Sequence, residues 1–225
     1  MTTPILLAWS GGKDSTLALE RLRDDPPWRV TGLVTTVTAE YDRIAIHGVR
    51  RSILHRQAAA LGLPLFEAEI PPQASNDVYE AAFAAALAQA RAHDAGVADI
   101  AFGDLFLADV RAYRDVLLTR LGWRGVYPLW GEDTAQLARH FIARGHRAIL
   151  TCVDTLRLGA DFCGRDYDAA LLADLPAACD PCGENGEFHT CVHASPLFSA
   201  PIRLVRGERV LREDRFQYVD LIESA

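Results

Sequence analysis

The sequence predicts an α/β protein: a mostly parallel sheet flanked by helices, followed by a smaller C-terminal α+β part. Three observations predict it. Strand-like runs alternate with helix-period segments from Ile5 to Val153, and such alternation packs as a parallel sheet with right-handed crossovers. The first run, Ile5 to Trp9, is continuously apolar, as suits a strand covered on both faces. After about Thr155 the alternation stops and a Gly/Cys-rich stretch begins. The expected division is residues 1–155 and residues 156–225.

The elements follow in order. Asp14 to Arg23 reads as a helix with Ala18, Leu19 and Leu22 on one side. Val30 to Val37 is β-branched and strand-like. Val49 to Leu61 carries Leu54, Ala58 and Leu61 at i, i+4 and i+7, and Gly62 stops it. Leu65 to Ile70 is a third strand. Pro71-Pro72 breaks the chain, and Asn76 caps an Ala-rich helix to His93. Ile100 to Phe102 is a short strand ending at Gly103-Asp104. Val110 to Leu121 is a helix stopped by Gly122, and Asp133 caps a further one with Leu137 and Phe141 inward. Ala148 to Val153 closes the series. Asp168 to Leu175 is one short helix, and Pro201 to Ile222 reads as a hairpin around Gly207-Glu208.

Composition narrows the function classes. The 225 residues suit one large domain, or one domain with a small appendage. Half are apolar and 24% charged, which excludes disordered and fibrous readings. The formal charge of −7 disfavours a dedicated nucleic-acid binder. Pro4 to Trp9 follows no basic region, so it reads as neither signal peptide nor membrane span. Five cysteines, an odd count, fit a reducing compartment. The expectation is a cytoplasmic protein without membrane contact, with a homodimer as one option. The basic residues include a single lysine, Lys13.

That lysine lies in Ser10-Gly11-Gly12-Lys13-Asp14-Ser15, after a buried strand and at the start of a helix. Glycines let a ligand approach the backbone. Free N–H groups and the helix dipole favour phosphate there. A Walker A loop would need glycine where Leu7 stands and Ser or Thr where Asp14 stands. Thr35 and Thr36, at the end of the second strand, and Gly103 and Asp104, after the strand at Ile100, lie where open α/β sheets bind ligands.

A second constellation is Cys182-Gly183-Glu184-Asn185-Gly186-Glu187-Phe188-His189-Thr190. It packs two carboxylates, an amide and an imidazole into a few residues. If extended, Glu187 and His189 share a face. Such a cluster could hold Mg²⁺, bind ammonium or orient a carboxylate; the bland alternative is a solvated polar turn. Cys179-x-x-Cys182 with Cys191, His189 and His193 nearby could suggest a metal. A second C-x-x-C pair is missing, so free thiols are the expectation.

Ser-Gly-Gly-Lys-Asp-Ser after the first strand resembles the PP-loop of N-type ATP pyrophosphatases, whose fold is HUP-like, a Rossmann-like sheet. The Gly183–Thr190 segment and Pro196-Leu197-Phe198 are similar to the diphthine–ammonia ligase family within that group. So are His47-Gly48-Val49, Gln57-Ala58, Leu61-Gly62-Leu63-Pro64-Leu65 and Pro128-Leu129-Trp130. The resemblance runs from Ile5 to about Phe198. It implies ATP cleavage to AMP and pyrophosphate through an acyl-adenylate, with ammonium as donor and Mg²⁺ as cofactor. The implied acceptor is a carboxylate, either a small molecule or a modified side chain such as diphthine on a translation elongation factor.

In that frame Ser10 to Ser15 and Lys13 hold the phosphates, and Asp14 binds Mg²⁺ or fixes the loop. His47 lies near the nucleotide. Glu184 and Glu187 bind ammonium or the metal, Asn185 orients the acyl group, and His189 acts as base or donor. This chain departs from the family at Asn185, Phe188 and His189. It departs again at Gly103-Asp104-Leu105 and Val110 to Arg114, where the family carries a Ser-x-Tyr-Gln stretch. The ATP chemistry therefore transfers further than the acceptor. Two alternatives stand beside it. One is a tRNA sulfurtransferase of the same superfamily using Cys179 or Cys182. The other is a non-catalytic adenine-nucleotide sensor.

Overall fold

A computed structural model describes residues 2–25, 27–44 and 48–224. The first sheet uses β1 (Thr3–Ala8), β2 (Trp28–Thr38), β4 (Leu65–Ile70), β5 (Asp99–Ala101) and β6 (Arg124–Val126). They run parallel in the spatial order β4-β2-β1-β5-β6. The short β3 (Arg43–Ile44) pairs antiparallel with the end of β2.

Both faces of this sheet are covered, and the sequence of β1 shows why. Ile5 and Leu7 point into the core shared with α1 (Lys13–Asp24) and α2 (Arg51–Leu61). Leu6 points into the opposite core, against α3 (Asn76–His93) and α4 (Ala108–Arg120). The expected stripes Ala18, Leu19, Leu22 and Leu54, Ala58, Leu61 are buried. Gly62 ends α2 at φ +68, a left-handed cap that glycine adopts without penalty. The cap of α3 is Ser75, one residue before the expected Asn76, and its hydroxyl accepts from the Val78 amide.

The last strand of the expected parallel series is a correction. β7 (Arg147–Asp154) follows α5 (Thr134–Ala143) and lies outside the first sheet. It is buried almost throughout, so its apolar run looked like a parallel strand. It pairs antiparallel instead, in a second sheet of order β8-β7-β10-β9. β8 (Phe188–Ala194) begins within the Gly/Cys-rich stretch, so the end of that stretch is extended. After the short α6 (Ala169–Asp174), the chain ends in the hairpin of β9 (Leu204–Arg212) and β10 (Phe216–Glu223).

The hairpin turn is a second correction. It lies at Glu213 to Arg215, between the paired Arg212 and Phe216, with Glu213 and Asp214 both at positive φ (53° and 48°), the backbone sense that matches strand twist. Gly207 sits inside β9, beside a register shift against Val219 and Leu221. A glycine within a strand often marks such a bulge. One buried cluster joins α1, α2 and both sheets.

Candidate active site

A cleft of about 570 Å³ opens at the C-terminal ends of β1, β2 and β5. Of the residues singled out from sequence it is lined by Ser10, Gly12, Lys13, Asp14, Ser15, Thr35, Thr36, Gly103, Asp104, Glu184 and His189. Both motifs therefore meet in one place. Their contact is direct: the Lys13 amide donates to Thr190 Oγ1 at 3.1 Å, across 177 residues of chain.

The loop is built from its own small side chains. Ser10 Oγ accepts from the Gly12 amide (3.3 Å) and lies 3.2 Å from Ser15 Oγ. Ser15 and Thr16 hydroxyls donate to the Gly12 carbonyl at 3.0 and 2.9 Å. Gly12 caps α1 with no side-chain hydrogen bond, so the positive end of the helix faces the cleft. Gly11 turns the chain at φ +74, and a Cβ there would lie 2.6 Å from Gln57 Oε1. It sits behind the cleft wall. Gly103 is as constrained: a Cβ would come within 2.8–3.0 Å of backbone atoms of Asp14 and Ser15.

Lys13 is 2% exposed. Its Nζ contacts Asp14 Oδ2 at 2.8 Å and lies 5.5 Å from the Phe188 ring centroid and 5.9 Å from that of Tyr167. Burial opposes its charge, but Asp14, Cys182 and Glu184 outweigh it and raise the ammonium above its ordinary value. Asp14 Oδ1 is buried with no hydrogen-bond partner, an acceptor aimed at the site. Glu184 Oε1 accepts from the Leu105 amide at 2.7 Å. Burial, countered in part by that bond, pushes its carboxyl up to about 7. Burial, then the Lys13 charge, pushes His189 down to about 4. A ring with that value is a neutral hydrogen-bonding group at pH 7 rather than a base.

Two expected residues fall elsewhere. Glu187 does not share a face with His189, because β8 begins only at Phe188. The turn before it, with Gly183 and Gly186 at positive φ, carries Glu187 into the interior. There its Oε1 accepts from the Asp180 amide and from Asn185 Nδ2. Neither Glu187 nor Asn185 lines the cleft. The position expected for His47 lies outside the described residues.

The structure adds residues that the sequence reading did not assign to the site. Gln57, fully buried, donates from Nε2 to the carbonyls of Gly11 (3.0 Å) and Val192 (2.7 Å). Its Oε1 accepts from Trp9 Nε1 at 2.9 Å. A glutamine on the apolar stripe of α2, among Ile53, Leu54, Ala58 and Leu61, was the available signal, since a buried amide needs partners. Tyr79 also lines the cleft, as do Val110 and Arg114 of the Val110–Arg114 stretch singled out from the sequence.

Among the described residues, no three His, Cys, Asp or Glu side chains are placed to hold a metal ion. Cys179, Cys182 and Cys191 are buried free thiols. Burial pushes each to about 12, where the reactive thiolate is scarce at neutral pH. No described helix is long and apolar enough to cross a membrane.

Residues 3–125 match the family model of the diphthamide synthase N-terminal domain, and residues 133–222 that of the diphthamide synthase C-terminal domain. A segment of 95 residues is 33% identical to a diphthine–ammonia ligase of Schizosaccharomyces pombe. That segment covers 40% of this chain and 16% of the relative. With both domain models matched in order, the chain belongs to the diphthamide synthase family.

Proposed function

We propose that the chain is an ATP-dependent amide-forming ligase. A carboxylate oxygen of the acceptor attacks the α-phosphorus of ATP, and the bond to the bridging oxygen of the β-phosphate breaks. Pyrophosphate leaves and an acyl-adenylate forms. Ammonia then adds to the acyl carbon, AMP departs with the C–O electron pair, and an amide remains. The observation that carries this reading is the meeting of the Ser10–Ser15 loop with Glu184, His189 and Thr190 in one cleft.

The residues supply what the chemistry needs. The Lys13 ammonium and the positive end of the α1 dipole would stabilise the charge on the leaving pyrophosphate. Thr35 and Thr36 offer hydroxyls on the β2 side for the nucleoside. Asp14, with one buried oxygen unpartnered, fits a magnesium ion that would neutralise phosphate charge; Mg²⁺ commonly takes one or two carboxylates plus substrate phosphates. Glu184, at about 7, is matched to take a proton from ammonium and release the nucleophile. The acceptor is a carboxylate, with diphthine as the candidate that the relative's name supplies. The setting proposed for this reaction is the cytoplasm.

The test is the product pattern. Purified protein with ATP, Mg²⁺, ammonium and a carboxylate panel that includes diphthine-bearing elongation factor is expected to yield AMP and pyrophosphate. ADP and phosphate would refute the reading.

A further inference from the structure

We propose that the β5 side of the cleft binds an acceptor whose far end carries an anionic and a cationic group side by side, as the head of an α-amino acid does. Arg114 takes the carboxylate and Asp104 the ammonium. This rests on the ligase reading and, for the same site, selects the small-molecule acceptor over the modified side chain.

The cleft straddles β1. Thr35 and Thr36 lie on its β2 side, while Gly103, Asp104, Leu107, Val110 and Arg114 lie on its β5 side. With the nucleoside on the first, the second is left for the acceptor. Arg114 is held but underused there. Its guanidinium carbon lies over the Phe102 ring, 4.4 Å from the centroid, a cation–π contact that holds it in place. Its Nη2 reaches Asp104 Oδ1 at only 3.3 Å, long for a charge-assisted bond. Its Nε is buried without a hydrogen-bond partner. A guanidinium presents five donors in a rigid fork matched to a carboxylate.

Asp104 decides which anion suits the site. A second carboxylate alone would meet Arg114 but also face Asp104, with Glu184 and Asp14 near. A head that brings its own ammonium exchanges one ion pair for two and leaves no charge unmatched. Phe83, Phe102, Leu107 and Val110 line the same cleft, an apolar floor for a short methylene spacer. The distal carboxylate then reaches the loop, and its product is a primary amide.

Four probes of matched length separate the two contacts: L-glutamate, glutarate (no amine), 4-aminobutyrate (no α-carboxylate) and butyrate (neither). Their binding is measured by calorimetry with and without α,β-methylene-ATP. Glutamate is expected to bind about tenfold or more tighter than the other three. Arg114→Gln should reduce it to the level of 4-aminobutyrate, and Asp104→Asn to that of glutarate. Arg114→Lys, which keeps the charge, should fall between. Equal or undetectable binding of all four acids to the wild type overturns the proposal, whether or not any variant folds. So does an Arg114→Gln variant that loses the nucleotide analogue as much as glutamate. Failure of the ligase reading shows separately, as no binding of the analogue or as ADP among the products.

Discussion

Replacing Gln57 with leucine isolates the device that fixes the loop. The side chains are similar in size, so the change opens little cavity and acts through hydrogen bonds. Gln57 serves three buried groups: the carbonyls of Gly11 and Val192 and the Trp9 indole N–H. The Gly11 carbonyl keeps a second donor, the Val192 amide at 2.8 Å. Trp9 Nε1 and the Val192 carbonyl lose the side-chain partner that Gln57 gives them. Each buried group left unsatisfied costs about 1–3 kcal/mol, for a sum of roughly 2–6. Burying leucine in place of an amide returns about 1 kcal/mol. The expected loss is therefore about 3 kcal/mol. For a chain of this size that lowers Tm by about 6–12 °C. Urea unfolding followed by Trp fluorescence and calorimetry measures both. A loss below about 1 kcal/mol would mean that the three bonds hold nothing, and the account of Gln57 as the clamp between loop and β8 would be wrong.

Lys13→Ala is expected to lower turnover about a hundredfold or more, as removal of an oxyanion-type donor does; unchanged pyrophosphate release would refute its role. Gly103→Ala places a methyl against the Asp14 and Ser15 backbone, so it should cost about 1–3 kcal/mol and weaken binding of α,β-methylene-ATP, with normal stability and affinity the contrary result. For Glu184, burial raises the carboxyl from an ordinary 4.5 to about 7, so the folded state keeps a proton that the unfolded chain has released between those values. The stability of metal-free wild type should therefore fall relative to Glu184→Gln as pH rises from about 4.5 to about 7, and level off above. Parallel Tm–pH curves for the two proteins would contradict this.

The parts of this fold legible in the sequence are those where local and tertiary preferences agree. β1, the stripes of α1 and α2 and the glycine stop at Gly62 carry their environment in their residue pattern. The Ser10–Ser15 loop was legible as a strand-to-helix turn for the same reason: strand, glycines, lysine and helix lie within a dozen residues. β7 was misplaced because an apolar run reports burial, not which sheet does the burying. The hairpin turn was misplaced because Gly207 is a stronger local signal than Glu213-Asp214, yet the register set by Val219 and Leu221 makes Gly207 a bulge. Glu187 and His189 were expected on one face by strand periodicity, which starts one residue too late for Glu187. Tyr79 carries no local mark at all; the helix α3, far along the chain, brings it to the cleft.

The charge of the chain and the charge of the proposed nucleotide pose a physical question. A molecule of net charge −7 repels a nucleotide triphosphate at long range. That repulsion fades beyond about 8 Å at physiological salt, so the approach is decided inside the cleft. There the attractive groups are few but dry: one ammonium at 2% exposure and the positive end of the α1 dipole. Low local dielectric makes each worth more than a surface lysine. It also makes each unpaired acid nearby more costly. Asp14 is held by Lys13 and Glu184 by the Leu105 amide. Removing surface arginines should then change nucleotide affinity little, whereas removing Lys13 exposes Asp14 and the phosphates to each other.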